Sequence, residues 1–141
     1  MKPASILYQM SSSDSQPALI PNFKKLGGLI PVITQDYSSG DVLMLGWMNL
    51  AAWNATLERR KAVYWSRTHQ KLWEKGELSD RTQLVKEILL DCDLDTVLLK
   101  VEQLGDAACH TGRRSCFYQR ITRHSVEIVS EPLFDPEDVY D

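Results

Sequence analysis

The sequence predicts an α+β fold of mainly antiparallel strands with one principal helix. Three observations carry this: several short apolar runs separated by turn-forming residues, a single uninterrupted stretch of helical spacing, and a length of 141 residues that suits one core. Residues 29–35 (LIPVITQ) and 42–48 (VLMLGWM) flank the turn cluster 36–41 (DYSSGD), which is a hairpin signal. Asn49 can cap a helix reaching about residue 59, because Leu50, Ala52, Trp53 and Leu57 fall near helical spacing and no Gly or Pro intervenes. Arg59, Arg60 and Lys61 suit its C-terminal end. Residues 62–68 (AVYWSRT) read as a strand, Lys75-Gly76 as a turn and residues 82–90 (TQLVKEILL) as a further strand whose alternation breaks at Lys86-Glu87. Residues 96–104 (TVLLKVEQL) form the next strand, residues 105–112 a loop and residues 115–121 (SCFYQRI) the last strand. Residues 1–20, with Ser11, Ser12, Ser13, Asp14 and Ser15 in succession, read as a flexible lead-in, and residues 21–141 as one domain with an acidic C-terminal segment.

Composition narrows the function classes. With 43% hydrophobic and 25% charged residues the chain is globular in character. It contains no apolar stretch near the roughly 20 residues that span a bilayer, so neither a membrane nor a secretory route is expected. A net charge of −3 gives no global drive toward nucleic acid. Charge is nevertheless segregated: six basic residues against Glu74 alone between Arg59 and Lys75, four arginines and no acid between Cys109 and His124, and six acids with no Lys or Arg from Ser125 onward. Solvated faces explain this blandly; a phosphate-bearing small ligand is the alternative. Three cysteines cannot all pair within one chain, which fits a reducing compartment such as the cytoplasm.

Three constellations can carry chemistry. In an extended segment Asp91, Asp93 and Asp95 would share one face, where their mutual repulsion is relieved by a hard cation such as Mg²⁺. A solvated acidic turn is the structural alternative. A calcium EF-hand fails because Thr96 stands where the sharp turn needs Gly and a strand-like segment follows. Cys109 and Cys116 bracket Gly112, so a folded-back loop can bring both thiols to one soft cation; with Cys92 there are three thiolates, leaving the fourth position of Zn²⁺ for water. An open zinc site implies hydrolysis by metal-activated hydroxide. His110, beside a proposed ligand, is placed to move protons, although a lone His is more often structural. If Cys92 points away from its acidic neighbours, a homodimer can complete each zinc site with Cys92 of the partner. The third constellation interleaves Tyr64, Trp65, Ser66 and Arg67 with Lys71, Trp73 and Lys75, residue types that stack a base and neutralise phosphates but also build cores.

On these residues two non-hydrolytic readings stay open. One is a zinc-stabilised nucleotide- or RNA-binding module with four metal ligands; the other is a redox protein with a reversible Cys109–Cys116 disulfide.

The segments PVITQD, VLMLGWMN, YWSR, LWEKGE, VKEILLDCDLD and ACHTGRRSCF, in this order between residues 29 and 117, together resemble the phosphoribosyl-AMP cyclohydrolase family in its monofunctional form. The terminal LFDPEDVYD is also similar. The resemblance implies an intertwined homodimer with metal sites at its interface, Zn²⁺ on Cys92, Cys109 and Cys116 with Cys92 donated across the interface, and Mg²⁺ on Asp91, Asp93 and Asp95. It implies a reaction of histidine biosynthesis: hydroxide on zinc attacks a purine carbon of 1-(5-phosphoribosyl)-AMP and opens the adenine ring to the formimino-aminoimidazole carboxamide ribonucleotide. His110 would transfer protons, and Trp65, Ser66, Arg67, Trp73, Lys75, Gly76, Arg113 and Arg114 would grip the base and phosphates. The implied partners are this nucleotide and a second copy, without nucleic acid or membrane. Two departures stand out. Leu78 and Asp80 replace the Thr and Gly usual in the loop after Lys75-Gly76-Glu77, and His69 replaces a basic residue common after Ser-Arg-x. They put substrate affinity in question.

Overall fold

The computed structural model describes residues 19–138. Of the expected lead-in only residues 19 and 20 fall within that span, and residues 139–141 of the terminal motif lie outside it. A short 3-10 turn, Phe23–Leu26, precedes β1 (Ile30–Asp36), β2 (Val42–Met48), the helix α1 (Leu50–Arg59), β3 (Val63–Ser66) and β4 (Lys71–Glu74). Then come β5 (Gln83–Leu90), β6 (Val97–Gln103), β7 (Gln119–Ile121) and β8 (Val126–Ile128).

Four strands form the main sheet in the order β2-β1-β6-β5, with β3-β4 and β7-β8 as separate two-stranded ribbons. The strands are mostly antiparallel, as read from the sequence, but β1 and β6 at the centre pair in parallel. Strand alternation divides the sheet into two faces. Ile30, Val32, Thr34, Met44, Met48, Val97, Leu99 and Val101 point inward and are buried against Ala52 and Trp53 of α1 and Tyr64 of β3. On the other face Leu45, Ile33, Leu98 and Leu89 stand side by side across all four strands, with Leu45 45% and Leu89 42% exposed.

Local chemistry accounts for the element ends. Asn49 caps α1 by accepting the Ala52 N–H on its Oδ1 at 2.8 Å, and Arg60 closes it in a left-handed conformation, φ 59°. The break in alternation at Lys86-Glu87 is a β-bulge, since the β5–β6 register shifts between Val85 and Glu87. Two strands went unread. β4 pairs with β3 across the polar turn 67–70, and β8 pairs with β7. The strand expected over residues 115–121 shrinks to Gln119–Ile121, because Ser115 and Cys116 are used to tie the chain to β2. Ser115 Oγ donates to Val42 O at 2.8 Å and Cys116 N donates to Leu43 O at 2.7 Å.

Beneath the sheet a buried polar chain links separate elements. Thr34 Oγ1 and Tyr64 Oη lie 2.7 Å apart, Tyr64 Oη donates to Gln83 Oε1 at 2.6 Å, and Gln83 Nε2 donates to Gln103 Oε1 at 2.8 Å. Gln103 Nε2 in turn donates to Arg81 O at 3.0 Å, which fixes the chain leading into β5. Burial holds the Tyr64 phenol well above its usual range, so it remains a neutral donor.

Candidate active site

The segment from Ala108 to Cys116 folds back on itself. Cys109 N donates to Arg113 O at 3.1 Å, Ala108 N to Arg114 O at 3.0 Å and Gly112 N to Cys109 O at 2.9 Å. Gly112 adopts φ +87°, and a Cβ there would run into the carbonyl of Phe134, so both the turn and the close approach require glycine. This folding sets the Cys109 and Cys116 thiols near each other. Cys116 is exposed as a residue, yet its thiol is desolvated against the protein, and with Cys109 beside it the pKa is pushed up to about 12. Thr111 Oγ1 donates to Cys109 Sγ at 3.1 Å. Cys92 is exposed and belongs to the acidic loop, and it does not join the other two thiols in a three-ligand group among the described residues.

The acidic loop is a turn, which corrects the extended conformation expected from sequence. Leu94 has φ 63°, Leu94 N donates to Asp91 O at 3.1 Å, and Asp91 Oδ1 accepts from Asp95 N at 3.0 Å and Thr96 N at 3.2 Å. Side-chain capping of the turn outweighs strand alternation here because Asp is short enough to reach backbone N–H groups two to five residues on. The carboxylates of Asp91, Asp93 and Asp95 still converge, each offering an oxygen within 4.8 Å of the others. A cation from the chain itself rests there: Lys25 Nζ lies 2.8 Å from Asp93 Oδ2 and 3.0 Å from Asp95 Oδ2. Lys25 is the leading cause of the depression of the Asp93 carboxyl to about 2.

A cleft of about 610 Å³ opens along the β3–β4 ribbon. Ser66, Lys71 and Trp73 line it from the strands, Thr68 and His69 from the turn between them, and Glu77, Leu78 and His110 close its far side. His110 is exposed and immediately follows the buried Cys109, and Lys75, whose Nζ lies 5.7 Å from the Trp73 ring centroid, is also near the Cys116 and Cys109 sulfurs, so the cleft adjoins the thiol pair without being lined by it.

The other residues expected to contact substrate do not line this cleft. Trp65 pairs with Leu72 on the ribbon face opposite Ser66, Lys71 and Trp73. Arg67 stacks on Trp47 with its guanidinium carbon 4.5 Å from the ring centroid. Arg113 Nε donates to Ser130 O at 2.8 Å and stacks on Tyr118. Arg114 Nε donates to Asp41 Oδ2 at 3.1 Å, and its Nη2 lies 3.5 Å from Asp36 Oδ2. Gly76 is buried at φ +93° where a Cβ would strike the Arg81–Thr82 backbone. Lys75 is only 3% exposed; burial lowers its pKa, and the nearby Cys116 and Cys109 sulfurs oppose that shift.

Sequence reasoning missed Thr68 and Glu77 as cleft residues, named Lys71 only within the aromatic and basic constellation, and noted His69 and Leu78 only as departures from a pattern. The available signal was two aromatic-rich runs, VYWS and KLWE, around four polar residues, which is a hairpin pattern that sets alternate residues of both strands on one face.

Comparison with known proteins agrees with the motif resemblance. The family described as phosphoribosyl-AMP cyclohydrolase matches residues 44–118. A phosphoribosyl-AMP cyclohydrolase of Desulfatibacillum aliphaticivorans is 56% identical over 119 residues, covering 84% of this chain and 95% of the relative. That of Desulforapulum autotrophicum is 57% identical over 120 residues, covering 84% and 96%. A third, of Geotalea uraniireducens, is 54% identical over 119 residues, covering 84% and 95%.

Proposed function

The chain belongs to the phosphoribosyl-AMP cyclohydrolase family, and from that premise we propose that it is a metal-dependent hydrolase of histidine biosynthesis that opens the adenine ring of 1-(5-phosphoribosyl)-AMP. The observation that carries this reading is a thiol pair next in sequence to an exposed imidazole that, with Trp73, lines a cleft.

The donor set fits zinc. Cys109 and Cys116 are soft ligands already side by side, and they need a third sulfur that their own chain does not bring to them. A homodimer supplies it as Cys92 of the second copy, and two features of the surface support such an association. The row Leu45, Ile33, Leu98 and Leu89 crosses the uncovered face of the sheet. The β7–β8 ribbon, exposed along both strands, is marginal without a neighbour to pack on. The Asp91, Asp93 and Asp95 oxygens fit magnesium, and the Lys25 ammonium seated on two of them marks the position as one a cation satisfies. A reducing compartment, the cytoplasm, would keep the free thiols available. No helix among the described residues is long and apolar enough to cross a membrane.

Zinc, when bound, supplies a Lewis acid that acidifies water near neutral pH. The residues of the chain do the rest. Trp73 offers an aromatic face to the base, Ser66 and Lys71 beside it offer a hydroxyl and a cation to ribose or phosphate, and an imidazole nitrogen of His110 takes a proton from the attacking water and returns it to the departing ring nitrogen. The Thr111 hydroxyl holds Cys109 Sγ in position, and the buried Lys75 charge offsets the negative charge of the thiolates. Turnover of phosphoribosyl-AMP by the purified protein with zinc and magnesium tests the reading. Cys109→Ser and Cys116→Ser should abolish turnover together with bound zinc; full activity in either variant would refute it.

A further inference from the structure

The two ends of the cleft differ in chemistry. Ser66 and Lys71 stand opposite each other next to the turn that carries Thr68 and His69. Two residues along β4, about 6.6 Å on, Trp73 presents the same face. Beyond it the loop 75–80 holds Leu78 against the cleft with 79% of its surface exposed. The loop is fixed by its own backbone: Glu77 N donates to Glu74 O at 3.1 Å, Asp80 N to Gly76 O at 2.8 Å, and Gly76 and Asp80 both have positive φ. Arg81 Nη1 pins it further by donating to Ser79 O at 3.0 Å. A large apolar side chain is therefore held bare in water by a built loop, on the same cleft of about 610 Å³ that Trp73 lines. Burial of that surface by an apolar ligand is favourable, and contacts among the described residues do not provide it. Glu77 gives the arrangement a direction, because its carboxylate at the loop end repels a phosphate while Lys71 and His69 at the turn end attract one.

We propose that Leu78 and Trp73 form the apolar walls that receive the purine, with His69 and Lys71 receiving a phosphate at the other end, so that Leu78 determines base specificity. The inference rests on the cyclohydrolase reading for its substrate class.

Binding separates this inference from catalysis. Tryptophan fluorescence of the full-length protein is titrated with AMP and, separately, with ribose 5-phosphate, and Trp73→Phe identifies the signal that reports the cleft. Leu78→Ala should weaken AMP binding roughly tenfold and leave ribose 5-phosphate within twofold, whereas Lys71→Ala should weaken both. Leu78→Met should restore most of the AMP affinity. Unchanged AMP affinity in Leu78→Ala, an equal loss for both ligands, or no AMP binding to the wild type overturns the inference. Normal turnover of phosphoribosyl-AMP beside unchanged AMP affinity in Leu78→Ala would sink it and leave the cyclohydrolase reading standing; the expected Leu78 dependence without turnover would do the reverse.

Discussion

Lys25 Nζ lies 2.8 Å from Asp93 Oδ2, although the two residues are 68 positions apart. The same segment is held to the acidic loop by Asn22 N donating to Leu94 O at 2.7 Å. A divalent ion entering the loop competes with this ammonium for the same oxygens. Lys25→Met should therefore raise magnesium affinity by roughly threefold, the modest size expected of an exposed ion pair. Calorimetric titration of magnesium into the variant checks this, and weaker binding than wild type would count against it.

The separation of Cys92 from Cys109 and Cys116 makes a prediction about mixed assemblies. Cys92→Ser chains and Cys109→Ser chains, each inactive alone, should recover part of the activity and part of the bound zinc when unfolded together and reassembled. In a shared arrangement one of the two sites then keeps all its sulfurs. Absence of any recovery would mean that each chain builds its site alone.

Gly112 is the residue on which the cysteine loop turns. Replacing it with Ala forces a Cβ against the Phe134 carbonyl at a φ that side chains rarely adopt. Zinc affinity of Gly112→Ala, measured by competition with a chelator, should fall by more than tenfold while the helix signal in circular dichroism persists.

Asp36 gives a pH signature. The Ser39 N–H donates to its Oδ2 at 2.8 Å, and this bond, aided by Arg114, holds its carboxyl below the usual range. A carboxyl with a depressed folded pKa adds stability that is complete above its unfolded value near 3.9 and is lost as pH falls through the folded value. Asp36→Asn should therefore lower the melting temperature at pH 7 by an amount equivalent to ~1 kcal/mol, with the gap to wild type closing as pH falls through the lowered folded value. A gap that stays constant with pH would contradict the assignment.

Tyr64 joins Thr34 and Gln83 in a site with 1% exposure. Tyr64→Phe leaves the Gln83 oxygen and the Thr34 hydroxyl without that partner, at a cost of about 1–3 kcal/mol. Urea unfolding should show a lower midpoint with an unchanged slope.

Local signals in the sequence were sufficient wherever one segment decides its own structure. Asn49 before an uninterrupted Leu50–Arg59 stretch specifies a capped helix, and Lys86-Glu87 marks the bulge. Legibility failed where a distant partner decides. The parallel pairing of β1 with β6 leaves no mark on either strand alone. Arg113 and Arg114, basic residues beside a proposed metal ligand, engage Ser130, Asp36 and Asp41, and those partners come from segments that sequence order does not bring near. The cleft is half legible: Ser66, Lys71 and Trp73 stand out by residue type, but Thr68 continues a strand-like run in sequence, and only the pairing of β4 with β3 places it in a turn at the cleft.

The central position of β6 in the main sheet also constrains the order of assembly. β1 and β2 can close as a hairpin early in synthesis, yet the inner edge of β1 has no neighbour until Val97–Gln103 has left the ribosome. For that interval the nascent chain carries an unpaired strand of Ile30, Val32 and Ile33, a template for unwanted association. Fusion of a slow-translating segment between β4 and β5 should thus raise the demand for chaperones without altering the finished protein.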